Sequence, residues 1–96
     1  MKKQKLVRDK IPDIYGPQKR HTASDEEYLK ELINKLQEEV DEFKEEHNIE
    51  ELADVIEVIY ALSEFYGVSV EELHKLREEK AGKRGKFKKR IIWEME

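Results

Sequence analysis

Cysteine is absent, which removes disulfides and thiolate chemistry together. No apolar run approaches the roughly 20 residues needed to cross a bilayer. The opening Met1-Lys2-Lys3-Gln4-Lys5-Leu6-Val7-Arg8-Asp9-Lys10 is basic but carries no apolar stretch of the secretory kind, so a cytoplasmic protein is expected. Positive charge is not in excess. A net charge of −4 gives no general case for nucleic-acid binding, and the basic tail lacks interleaved aromatics or a known reading motif. His21, His47 and His74 show no metal-ligand spacing and read as surface residues. Ser63 has no base partner suggested by spacing. With no internal repeat or composition break, residues 1–96 read as one domain.

What the chain does have is charge. Asp, Glu, Lys and Arg make up 44% of it against 38% hydrophobic residues, so the apolar positions must be concentrated on narrow faces. The signs are split along the chain. Carboxylates crowd between Asp25 and Glu57, whereas Lys75, Arg77, Lys80, Lys83, Arg84, Lys86, Lys88, Lys89 and Arg90 follow near the end. An acidic metal site beside a basic clamp suits a metal–polyphosphate ligand; a solvated surface of complementary charge explains the same composition.

Helical punctuation is clear after Ala23. Ser24-Asp25-Glu26-Glu27 is a capping box, followed by Leu29, Leu32, Ile33, Leu36, Val40 and Phe43 at helical spacing to about Glu46. His47-Asn48 makes the turn. Asn48 can cap a second helix through Leu52, Val55, Ile56, Ile59, Leu62, Phe65 and Tyr66, which Gly67 stops. Ser69-Val70-Glu71-Glu72 opens a third helix carrying Leu73 and Leu76, its end blurred by Gly82 and Gly85. Residues 1–23 read as irregular, with a short helical turn at Pro12 broken by Tyr15-Gly16-Pro17.

The expected fold is therefore all-α: an antiparallel helical hairpin plus a third helix. The second helix is apolar around most of its circumference, since Val58, Tyr60 and Ala61 join its stripe, and one hairpin cannot cover it. Assembly into a bundle by oligomerisation, as a homodimer or tetramer, is the expected remedy. Tyr15, Phe87 and Trp93 are expected to pack the chain ends onto that bundle rather than to stack a base.

Two acidic pairs carry the chemistry. Glu39 and Glu42 lie on the first long helix, Glu51 and Asp54 on the second, and each i, i+3 pair projects from one side of its helix. At about 100° per residue, Glu39 falls about 60° from the centre of its apolar stripe, Glu42 about 120°, and Glu38 nearly opposite. Glu51 falls about 40° from the centre of the second stripe and Asp54 about 100°. Carboxylates leaning toward a core repel one another and lose hydration unless a cation compensates them. A hard divalent metal with oxygen ligands, above all Mg2+, would do so. Solvation, or a capping role for Glu51 in Asn48-Ile49-Glu50-Glu51 with Asp54 favouring the helix dipole, explains the same residues without metal.

Glu38-Glu39-Val40-Asp41-Glu42 followed by Glu51-Leu52-Ala53-Asp54 resembles the EExxE…ExxD signature of the all-α nucleoside triphosphate pyrophosphohydrolases, the MazG superfamily. Lys5-Leu6-Val7-Arg8-Asp9-Lys10-Ile11-Pro12 and Lys80-Ala81-Gly82-Lys83-Arg84-Gly85-Lys86-Phe87 resemble the two ends of its compact phosphoribosyl-ATP pyrophosphohydrolase-like branch. The three segments span nearly the whole chain in order. The Glu42–Glu51 interval is shorter than in typical MazG domains but suits the compact branch, and Lys86 stands where the RGGF segment has its second glycine.

The resemblance implies a Mg2+ site, with Mn2+ an alternative ion, made by Glu39, Glu42, Glu51 and Asp54. Glu38 would either support the metal ligands from behind or help position the attacking water, and Lys80, Arg84, Arg8 and Lys10 would meet phosphates. The implied reaction cleaves a nucleoside triphosphate to monophosphate and pyrophosphate, as house-cleaning of noncanonical nucleotides. Such chemistry needs little beyond positioning and charge stabilisation, so no Ser or Cys nucleophile is required. The alternatives are a non-catalytic helical dimer that binds nucleotide or protein, and phosphoribosyl-ATP hydrolysis.

Overall fold

The structure, a computed structural model, describes residues 4–16 and 18–95. Met1, Lys2 and Lys3 of the basic opening, and Pro17 of the expected helix break, lie outside the described residues. Four helices follow one another: α1 (Ile11–Tyr15), α2 (Asp25–Glu46), α3 (Ile49–Phe65) and α4 (Val70–Arg84). Among the described residues there is no strand, so the chain is all-α. No described helix is long and apolar enough to cross a membrane.

The helix starts follow the caps written in the sequence. Ser24 Oγ accepts from the Glu27 amide at 3.3 Å, Asn48 Oδ1 from Glu50 at 2.8 Å, and Ser69 Oγ from Glu72 at 3.2 Å. Proline near the start of α1 costs it no hydrogen bond, because the first helical amides have no acceptor within the helix. The turn between α2 and α3 is made by His47 in the left-handed region (φ 53°), with its amide bonded to the Phe43 carbonyl. Gly67 (φ 76°) plays the equivalent part after α3, where a side chain would be strained. Gly82 is accommodated inside α4, which runs on to Arg84 before Gly85 ends it.

Helices α2 and α3 pack on one another. Tyr28, early in α2, meets Phe65 at the end of α3 edge-on, with ring centroids 5.9 Å apart. Late in α2, Glu39 lies beside Glu51 and Asp54 from the start of α3. The core between them is thin. Leu32 and Val58 are the buried apolar residues among those described, and α4 buries none.

Much of the apolar stripe is left uncovered, because a hairpin shields only one side of each helix. Leu52, Ile56 and Ile59 fall at i, i+4 and i+7 on α3 and remain exposed, as do Ile33 and Val40 on α2. The accessible surface is 9425 Å2, whereas a folded monomer of 11.5 kDa exposes about 5,800 Å2. The radius of gyration, 16.9 Å, also exceeds the about 12.5 Å of a compact chain of this length.

The chain ends stand away from the helices of the single chain. Tyr15, Phe87 and Trp93 do not pack onto the helices: they are 69%, 96% and 85% exposed. Residues after Gly85 carry four cations in a row of six, and α4 offers them no buried surface to settle on. Without a surface to receive them, apolar groups gain nothing by burial that would offset the loss of chain entropy.

A candidate metal centre between two helices

The candidate site is built where the second half of α2 meets the first two turns of α3. Helical periodicity brings Glu39 furthest inward: it is 6% exposed, whereas its neighbour Glu38 is only half-buried. One carboxylate oxygen from each of Glu39, Glu51 and Asp54 lies within 4.8 Å of the others. Glu51 does not serve as a helix cap. Asn48 alone caps α3, and the Glu51 carboxylate turns toward the other acids.

This crowding has an electrostatic signature. Glu39 Oε2 and Glu51 Oε2 are both buried without a hydrogen-bond partner. Burial first, then a hydrogen bond shared with the Glu42 carboxyl and the charges of Glu42, Glu46 and Asp54, push the Glu51 pKa up from 4.5 to about 7. Glu42 thus joins the cluster through Glu51.

Cations compensate only part of this charge. Lys35 Nζ lies 3.4 Å from both Glu39 Oε1 and Glu38 Oε2, while Lys5 Nζ lies 3.0 Å from Glu38 Oε1. Burial raises the Glu38 pKa, but the bond from Lys5 and the charge of Lys35 outweigh it and hold the carboxyl below its usual range. Arg8 crosses from the N-terminal segment to Asp54, Nη2 to Oδ1, at 2.6 Å. Glu39, Glu42, Glu51 and Asp54 bring four negative charges when ionised; Lys35 and Arg8 answer two of them. A divalent ion would answer the remainder, and carboxylate oxygens are the donors that hard divalent ions prefer.

Beside the acids opens a cleft of about 720 Å3. Its polar side mixes the cations Arg8, Lys10 and Lys35 with the carboxylates Asp9, Glu39, Asp54, Glu57 and Glu64, and Tyr28, Leu32, Val58, Ala61 and Phe65 form an apolar wall. Small-molecule sites typically combine such a wall with a few placed polar groups, at roughly 300–1,000 Å3.

Of the residues picked out by sequence, Glu39, Glu51 and Asp54 come together, Glu42 neighbours Glu51 outside that triad, Glu38 stands next to Glu39, and Arg8 and Lys10 reach the cleft. Lys80 and Arg84 are exposed near the end of α4 and do not line it. Sequence reasoning missed Lys35 and Glu57. Lys35 was signalled by its i+3 and i+4 relation to Glu38 and Glu39, and Glu57 by standing one turn beyond Asp54. The three histidines lie outside the cluster: His21 Nε2 pairs with Glu27 at 2.8 Å and His74 Nε2 with the Tyr60 hydroxyl at 3.1 Å.

Comparison of the chain with protein-family models, curated proteins and solved structures finds no match.

Proposed function

We propose that the chain is a Mg2+-dependent nucleoside triphosphate pyrophosphohydrolase of the MazG-like kind. In this reading Glu39, Glu42, Glu51 and Asp54 hold the ion. The observation that carries the reading is Glu39, a buried carboxylate whose Oε2 has no partner although two more acids converge on it. Leaving such an oxygen unsatisfied costs about 1–3 kcal/mol, which a fold can tolerate when a ligand relieves it.

When bound, the metal would neutralise phosphate oxygens and acidify a water. The protein's own groups supply the rest. Glu38, ionised at neutral pH and steadied by Lys5 and Lys35, can accept a hydrogen bond from a water and orient it. Lys10 and Arg8 present positive charge at the cleft for phosphates, and the wall of Tyr28, Leu32, Val58 and Phe65 suits a flat, weakly polar base. The α2–α3 wall excludes water from the inner face of Glu39, which strengthens every charge interaction there.

Self-association belongs to the same proposal. An antiparallel α2–α3 hairpin paired with a second copy would bury the Leu52, Ile56 and Ile59 stripe and part of the surplus of exposed area. The phosphate role of Lys80 and Arg84 then requires α4 of another copy to bring them to the cleft.

The test is a panel of common and noncanonical nucleoside triphosphates with Mg2+ or Mn2+, read by pyrophosphate release. E39Q and D54N should abolish turnover with helical content unchanged. Metal binding without turnover of any nucleotide would instead favour a non-catalytic binding module.

A further inference from the structure

Arg8 occupies a carboxylate on which the metal centre depends. Its guanidinium arrives from a segment 46 residues before Asp54, placing Nη2 at 2.6 Å from Asp54 Oδ1 and Nη1 at 3.8 Å from Glu57 Oε1. Leu6 and Ile11 in this segment are half-buried, and the Arg8 carbonyl accepts from the Ile11 amide at 3.0 Å as α1 begins. A guanidinium stays protonated at any physiological pH and cannot itself ligate a metal. A divalent ion on Asp54 would therefore place like charges side by side on one carboxylate.

Lys35 stands differently. Its side chain is 17% exposed and bonds Glu38 as well as Glu39, so it keeps a partner whatever Glu39 does. Arg8 is 56% exposed, and its nearest second acceptor lies 3.8 Å away. It is the cation with room to leave.

We infer that Arg8 is a tethered competitor for the metal: it holds Asp54 in the ion-free protein and is displaced when a divalent ion binds. This inference rests on the metal reading above. The released guanidinium remains at the cleft beside Lys10, where an anion carried by the metal gives it a new partner. Metal and anion binding are thereby coupled. The ion alone must break the Arg8–Asp54 pair, whereas the ion arriving with a phosphate exchanges one partner for another.

The experiment is a Mn2+ titration of the full chain without nucleotide, by calorimetry, for wild type, R8Q, K10Q and E39Q. R8Q should bind Mn2+ roughly three- to fivefold more tightly than wild type, the scale of losing one partly exposed ion pair. K10Q removes equal charge from the same cleft without touching Asp54, and should stay within about twofold of wild type. In wild type, saturation with diamagnetic Mg2+ should also shift the Arg8 side-chain Nε–H resonance. Equal or weaker binding by R8Q, equal tightening by K10Q, or an Arg8 resonance that does not move would each overturn the inference while leaving the metal centre standing. If wild type and R8Q both bind no better than E39Q, the metal centre itself fails, and this inference with it.

Discussion

Replacing Glu39 by glutamine should make the protein more stable and less able to bind metal, and the two effects have one cause. Glu39 is 6% exposed, and its Oε2 has no partner. A buried unsatisfied oxygen costs about 1–3 kcal/mol, and a carboxylate is at the upper end of that range. Glutamine keeps the shape, removes the charge and can turn an amide donor toward the acids within 4.8 Å. Against this stands the lost contact with Lys35, which at 3.4 Å is long, and Lys35 keeps its existing contact with Glu38. The balance is a gain of about 1 kcal/mol, or about 4–8 °C in Tm for a domain of this size.

The assay is thermal unfolding at fixed protein concentration, with EDTA and then with Mn2+. In EDTA, E39Q should melt higher than wild type. With Mn2+ at about 100 times its dissociation constant, wild type should gain about 2.7 kcal/mol, and E39Q should gain nothing. Destabilisation of E39Q in EDTA would mean that the carboxylate is a structural anchor for Lys35. Undiminished stabilisation of E39Q by Mn2+ would mean that the ion binds elsewhere. Either result refutes the reasoning.

Two further outcomes follow from the same geometry. Glu51 titrates near 7 when folded and near 4.5 as a free side chain, so the folded state binds the extra proton. Stability in EDTA should therefore fall as pH rises between those values, while Mn2+ affinity rises over the same window because a ligating carboxylate must shed its proton; E51Q should flatten both profiles. On the exposed stripe of α3, I56E should shift sedimentation to the monomer, since a charge at a self-association face costs several kcal/mol; wild type already monomeric at micromolar concentration would contradict the assembly.

Local rules were legible because they act over a few residues. Ser24, Asn48 and Ser69 each cap the helix that their spacing announced, and Gly67 ends α3 with the positive φ that only glycine adopts cheaply. The inward lean of Glu39 against the outward lean of Glu38 was also readable, from nothing more than 100° per residue. The tail lies beyond the reach of such local rules. Phe87 and Trp93 are apolar, but whether an apolar group is buried depends on a surface elsewhere to receive it, and α4 provides none.

By itself, the order of residues determined the three long helices, where each begins and the sides of α2 and α3 on which acids stand, because caps and periodicity are written within one or two turns. Only the packing of α2 on α3 decided that Glu39, Glu51 and Asp54 share one space and that Glu51 gives up its capping role. The same holds for Arg8 on Asp54, a pairing across 46 residues that no spacing rule anticipates. Coulomb energy depends on distance through space and on local water, and neither quantity exists until the chain has folded.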